Sequence, residues 1–268
     1  MRGAWRALLA RLRVLRAPLD PLGVPLRPAR MRLHGDYASL QFRRGQTQSR
    51  MRVEDPDALL IDYTRTMLGC LLWQPRPRVL GMVGLGGGSQ VKFLHRAFAA
   101  TRVEVVENHP GVLALRQRFG IPPDDARLEV SLDDGARFLR ARRGRYDLLL
   151  LDGYDEHGIP AALSTQAYYD DCRDALADGG ALATNLFCDD PGTHVARLRN
   201  SFGADKVLVL AEPRMSNRVA FAWRGAGVAD AAAAVAALPG GVRDELAPVL
   251  ERVSAALAWQ RSAGAAAR

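Results

Sequence analysis

Val79-Leu-Gly-Met-Val-Gly-Leu-Gly-Gly-Gly-Ser-Gln90 is followed at Arg102-Val-Glu-Val-Val-Glu107 by a second apolar run, and the pair decides the fold. The first run enters a glycine-dense turn, and the second ends on a carboxylate about twenty residues later. That order suits a nucleotide site at the edge of a parallel sheet. Gly84, Gly86 and Gly88 let the backbone approach a ligand where a Cβ would collide. Glu107, at the tip of its strand, is placed to accept hydrogen bonds from both hydroxyls of a ribose. A tight strand-to-helix turn beside a surface Glu is the bland alternative. The acid at the second strand end favours an adenosine-type ligand.

Working outward, apolar runs and helical periodicities alternate from residue 79 onward. Strands are predicted at 79–84, 102–107, 127–131, 146–151, 179–186, 205–210 and 217–223. Helices are predicted at 89–99, 110–118, 134–141, 164–176 and 191–202. This alternation predicts an α/β, Rossmann-like domain over 56–225 with a mostly parallel sheet covered on both faces. The last two strands lack a helix between them and are expected to pair as an antiparallel edge hairpin. Upstream, 38–42 and 47–53 flank Arg43-Arg-Gly-Gln46 and read as a β-hairpin within 31–55. Pro56 suits the first position of a helix carrying Leu59, Leu60, Tyr63, Met67 and Leu71. Ala-rich helices are expected over 226–268.

The 268 residues carry a net charge of +8, but residues 1–35 hold eight arginines against Asp20 alone. Only one unit of that surplus lies beyond residue 35, so a general nucleic-acid surface is not expected. Residues 1–30 read as a basic, proline-containing arm. They are expected to be disordered or to reflect an over-extended start, with a membrane-surface helix at Trp5, Leu8, Leu12 and Leu15 as the alternative. No apolar run approaches the length of a bilayer span, so the expected location is cytoplasmic. Cys70, Cys172 and Cys188 form no CxxC pair, which points to a reducing compartment and no structural zinc.

The carboxyl ends of successive strands deliver the glycine loop, Glu107, Asp133-Asp134-Gly135 and Asp152-Gly-Tyr-Asp155 to one rim. Asp134 and Gly135 suit an adenine edge, although Asp134 is equally a good N-cap. Asp152 emerges from the apolar strand Tyr146-Asp-Leu-Leu-Leu-Leu151. With Asp155 it suits an amine substrate, whose ammonium must lose a proton before nitrogen can attack. Alternatively Asp155 caps a turn.

With these residues in view, 38–225 resembles the spermidine synthase (polyamine aminopropyltransferase) family on the class I methyltransferase fold. Leu163-Ser-Thr-Gln-Ala-Tyr-Tyr169 is similar to the family's Leu-Phe-Thr-x-x-Phe-Tyr, and Gln48 matches a nucleoside-contacting glutamine of the N-terminal hairpin. The resemblance implies ribose binding by Glu107, adenine binding by Asp134, and proton acceptance by Asp152. It further implies amine steering by Asp155, with Tyr154 and Tyr63 beside the amine. The implied reaction moves an aminopropyl group from decarboxylated S-adenosylmethionine to a small amine without metal, in a homodimer joined through the hairpin.

The sequence departs from the family in three places. Gly87 stands where the family's Gly-Gly-Gly-Asp-Gly loop has its aspartate. Asp62-Tyr-Thr64 replaces Tyr-His-Glu. Glu212-Pro-Arg-Met-Ser-Asn217 replaces a proline- and glycine-rich segment. All three belong to the amine side. An aspartate at 87 would favour a donor arm bearing only an ammonium, and its absence keeps intact S-adenosylmethionine, and hence methyl transfer, as the alternative. A non-catalytic thioadenosine-binding homologue is the third reading.

Overall fold

In a computed structural model, which describes residues 17–266, the alternating apolar runs form one seven-stranded sheet. Its strands are β4 (Val79–Val83), β5 (Arg102–Glu107), β6 (Leu128–Leu132), β7 (Tyr146–Leu151), β8 (Leu176–Leu186), β9 (Val207–Ala211) and β10 (Arg218–Trp223). Their spatial order is β6-β5-β4-β7-β8-β10-β9. The first five pair in parallel, and β10 runs antiparallel to both neighbours. The predicted edge hairpin is therefore present, with β9 outermost. The order reverses direction between β4 and β7, and the crevice opens there.

Period-two side-chain alternation divides the core into two halves. Leu148 and Leu150 of β7 pack with Leu80, Met82, Val103, Val105 and Phe221 on one face. Leu149 and Leu151 pack on the other with Val83, Val106, Phe138 and Tyr169. The second face is covered by α4 (Gly135–Arg140), α5 (Gln166–Ala175) and α6 (Pro191–Phe202). The first is covered by α1 (Asp62–Met67), α2 (Ser89–Ala97) and the long α8 (Gly240–Ala266). Two short helices, α3 (Pro110–Leu113) and α7 (Ala231–Ala237), complete the set. Each Leu of β7 from 148 to 150 is fully buried, which stabilises the fold by about 1.5–3 kcal/mol per side chain.

Four local expectations need correction. The N-terminal hairpin is a three-stranded antiparallel sheet, with β1 (Arg30–His34) added to β2 (Tyr37–Arg43) and β3 (Gln46–Arg52). β1 escaped notice because its alternation, Arg-Met-Arg-Leu-His, buries little, with Leu33 65% exposed. Upstream of it, residues 17–29 follow a defined path: Asp20 Oδ1 accepts from the N–H groups of Leu22 and Val24, and the Arg27 carbonyl meets His109 Nε2 at 2.7 Å. The basic-helix and disordered-arm readings of 1–16 lie outside the described residues. Finally, α1 begins at Asp62, not Pro56. Lys92 donates to the Pro56 carbonyl and, at 2.9 Å, to that of Phe119, holding the segment in a turn. The helix predicted over 110–118 likewise closes early at Leu113, resuming only as one 3-10 turn at Gln117–Phe119.

Candidate active site

The crevice at the switch point widens into a cavity of about 970 Å³, lined by every residue the sequence had nominated. One wall is made by the glycine loop. Gly84 takes φ +94° and donates its N–H to the Val106 carbonyl at 2.9 Å. A Cβ there would collide with the Asp152 carbonyl, so glycine is required twice over. Gly86 and Gly88 also hold positive φ, whereas Gly87 does not. A Cβ at Gly87 would instead meet Ser49 Oγ at 2.5 Å. The buried Ser49 of β3 thus lies over the position where the resembling family carries an aspartate.

Glu107 is buried at the tip of β5. Its Oε2 accepts from the Leu85 N–H at 3.0 Å and its Oε1 from the His109 N–H at 2.9 Å. Two backbone donors thereby fix the carboxylate while leaving each oxygen a lone pair for a diol. His109 in turn stacks on Phe42, ring centroids 5.0 Å apart. The N-terminal sheet is thereby anchored to the wall that carries Glu107, and Gln48 of β3 lines the same cavity. Asp134 is the N-cap of α4, its Oδ1 accepting from the Arg137 N–H at 2.8 Å. It nevertheless faces the cavity with Gly135.

The opposite wall is built from side chains. Asp152 Oδ2 accepts from the Tyr63 hydroxyl at 3.1 Å, and Oδ1 accepts from Asn185 Nδ2 at 2.9 Å. Asn185 is fixed from behind, since its Oδ1 accepts from Asn217 Nδ2 at 2.9 Å. Its carbonyl accepts from the Tyr154 hydroxyl at 2.8 Å. Desolvation raises the Asp152 pKa above the ordinary carboxylate range, and the two donors hold it back. Burial beside Asp152 raises the Tyr63 phenol too, so it remains a donor.

Asp155 differs from the other nominated acid. Its Oδ1 accepts from the N–H groups of His157 and Gly158, so it caps a tight turn at the rim. That is the structural alternative weighed from sequence, and it leaves Asp152 as the carboxylate on the cavity floor. Asn185 and Asn217 were not foreseen. Asn185 carries the same signal as Asp152, a polar residue closing an apolar strand, but an amide draws less notice than an acid. Among the described residues, no three His, Cys, Asp or Glu side chains come together as a metal-holding group.

Known proteins resemble the chain in sequence and in fold. The spermine/spermidine synthase domain matches residues 101–195. The polyamine aminopropyltransferase of Chromobacterium violaceum is 33% identical over 193 residues, covering 71% of this chain and 74% of the relative. Among solved structures, a probable spermidine synthase from Corynebacterium glutamicum superposes with TM-score 0.64 at 18% identity, covering 79% of this chain and 84% of its own. Human methyltransferase-like protein 13 superposes with TM-score 0.59 at 22% identity, covering 71% and 93% respectively. These two likenesses concern the fold, and the sequence relative carries the kinship. The chain belongs to the polyamine aminopropyltransferase family.

Proposed function

We propose that the protein transfers an aminopropyl group from decarboxylated S-adenosylmethionine to a small primary amine, with Asp152 as the proton acceptor. The observation that carries this reading is the Asp152 carboxylate at the cavity floor, held at one oxygen by Tyr63 and at the other by Asn185. In the reaction the amine lone pair forms a bond to the propyl carbon next to the sulfonium. The carbon–sulfur bond breaks, its electrons neutralise sulfur, and the proton released from nitrogen passes to Asp152. A carboxylate with a raised pKa is the stronger base for that step. Orientation by two donors avoids reorganisation as the proton moves.

On the other wall Glu107 holds the ribose diol, pre-set by the Leu85 and His109 N–H groups. Asp134 and Gly135 take the adenine edge, with the Asp134 oxygen not used in capping as the acceptor. Gln48, Gly84, Gly86, Gly87 and Gly88 complete the nucleoside cradle, while Tyr63, Tyr154 and Asp155 flank the amine. Methyl transfer from intact S-adenosylmethionine rests on Gly87 alone and is not favoured by the activity named for the relatives. The reading carries with it a homodimer through the N-terminal sheet, whose edge strand β1 leaves Leu33 exposed, and a cytoplasmic site of action. Among the described residues no helix is long and apolar enough to cross a membrane.

The test is direct. Purified protein is given decarboxylated S-adenosylmethionine and a panel of primary amines, and release of methylthioadenosine is followed by chromatography. Release that requires both the amine and Asp152 supports the assignment. Transfer of methyl from intact S-adenosylmethionine under the same conditions would replace it.

A further inference from the structure

The N-terminal sheet has two unlike faces. Side chains alternate along each strand, and directly opposed residues share a face. Ala38 and Leu40 of β2 with Ser49 and Met51 of β3 form the inner face, and all four are buried. On the outer face the register sets Arg30, Arg32 and His34 of β1 beside Gln41, Ser39 and Tyr37 of β2. Arg50 follows Ser39 across the next ladder, and Arg52 follows Tyr37. Arg30, Arg32, Arg50 and Arg52 are exposed. None of the four meets a carboxylate among the described residues. The acids closest to them in sequence, Asp36, Glu54 and Asp55, all flank the end of the sheet that carries Tyr37.

A near-zero charge beyond residue 35 argues against a general nucleic-acid surface, yet the fold gathers what charge there is. Arg30 and Arg32 belong to the basic first 35 residues, and strand pairing places Arg50 and Arg52 beside them. The four form a diagonal band from Arg30 through Arg32 and Arg50 to Arg52, with backbone steps of about 7, 10 and 7 Å. Each guanidinium can fork onto a phosphate through two N–H groups. Arg50 also lies over the Tyr37 ring, its Cζ 4.9 Å from the centroid. Guanidinium and ring together make a cationic platform beside the band, and unpaired bases stack on such groups. Ser39 and Gln41 set a hydroxyl and an amide between the arginines, where they can pair with base edges. None of the paired residues on this face is aliphatic, so nothing on it would enter a bilayer. A second copy brings the same charge, so two chains do not meet face to face here.

We propose that this outer face binds single-stranded nucleic acid, the arginine band following the phosphates and the Arg50–Tyr37 platform taking a base. None of these side chains lines the cavity, so the surface is separate from the site that holds Asp152 and Glu107. The first sixteen residues add five arginines and no acid, so the full chain is the material to test. The probe is a fluorescein-labelled oligouridylate of about twelve nucleotides, within the span that one sheet module covers. Anisotropy is read against salt, beside a duplex of the same length and vesicles of phosphatidylglycerol in phosphatidylcholine.

The wild type should prefer the oligouridylate to both the duplex and the vesicles. Arg30→Gln, Arg32→Gln, Arg50→Gln and Arg52→Gln together should weaken that binding at least tenfold. The slope of log affinity against log salt should flatten by roughly 3, the release expected for four phosphate contacts on a single strand. Tyr37→Leu removes stacking and no charge, so affinity should fall about tenfold with the slope unchanged. The β1 pair and the β3 pair are also exchanged separately, and melting curves check each fold, so a quadruple variant that fails to fold does not end the test. Binding that survives loss of all four arginines overturns the proposal. So does a Tyr37→Leu variant that binds as well as the wild type, or a wild type that binds no oligouridylate or prefers the duplex or the vesicles.

Discussion

The two walls of the cavity are built by different means. On the wall proposed for the nucleoside, main chain sets the shape: a glycine that no other residue can replace at 84, and two backbone N–H groups that fix Glu107. On the wall proposed for the amine, four side chains from distant segments (Tyr63, Asp152, Asn185 and Asn217) depend on one another for position. The first arrangement is rigid and local, and a substitution there should cost binding of one ligand. The second is a relay, so changes should alter the chemistry, its pH dependence and the choice of acceptor.

The sharpest way to break that contrast is at Asp152. Asp152→Asn keeps the shape but cannot take a proton, and loss of a general base typically costs about 10²–10⁴-fold in rate. Affinity for methylthioadenosine, measured on the same preparation, should remain level. Burial favours the protonated form of Asp152. Its contribution to stability is thus present below the ordinary carboxylate range and is lost as pH rises through the raised value. The amide should therefore melt no lower than the wild type at neutral pH. Unchanged turnover in the variant would take Asp152 out of the mechanism.

Glu107→Ala is the counterpart on the other wall. Charged hydrogen bonds to the ribose diol are lost, which should weaken methylthioadenosine binding by about 1–3 kcal/mol. At saturating donor the rate should recover. Calorimetry and a donor titration read the two quantities, and a level affinity means the ribose is held elsewhere.

The same contrast governs how much could be read from the sequence. Glycine density, an acid about twenty residues on, and polar residues closing apolar runs are local signals, and they located β4, β5, β7 and the residues of the glycine-loop side, which the structure brings to one cavity. The sheet strands fell within a few residues of expectation for the same reason, since each carries a local apolar run or alternation. The amine wall was only half legible. Asp152 announced itself at a strand end, but Asn185 and Asn217 act through a contact spanning 32 residues that no periodicity encodes. Asp155, an acid in a suggestive place, turned out to spend an oxygen on its own turn. The third N-terminal strand was missed because Arg30–His34 buries almost nothing, and burial is what strand patterning reports.

Asn185 offers an intermediate test. Its amide stabilises the charged form of Asp152, so Asn185→Ala should raise the Asp152 pKa further. Activity falls as pH drops through that pKa, because a protonated carboxyl cannot accept the acceptor's proton. The acid limb of the rate profile should then move to higher pH in the variant, with little change on the alkaline side. A uniform loss at every pH would mean that Asn185 merely packs.

The smallest effect is expected at Gly87, where the two walls meet. On the proposed reading an aspartate there lies next to the donor's arm and should favour an arm bearing an ammonium over one that also bears a carboxylate. Two unit charges at about 4 Å and an effective dielectric near 20 interact by roughly 4 kcal/mol, but desolvating a new carboxylate takes back much of that. Backbone conformation is no obstacle, since φ at Gly87 is not positive. Space is the obstacle: the new Cβ would lie 2.5 Å from Ser49 Oγ, 3.1 Å from Ser49 Cβ and 3.3 Å from Phe119 Cδ1. Ser49 can rotate its hydroxyl away, but its Cβ and Phe119 must yield a few tenths of an ångström. Gly87→Asp alone should therefore shift preference toward decarboxylated S-adenosylmethionine by about tenfold at most, at some cost in stability. Adding Ser49→Gly removes the serine side chain and should enlarge the shift while restoring the melting temperature. Competition binding of the two donors to wild type and both variants decides it. A folded double variant with unaltered preference would mean that the donor's arm does not pass Gly87, and that the amine wall begins farther from the glycine loop than the geometry around Ser49 implies.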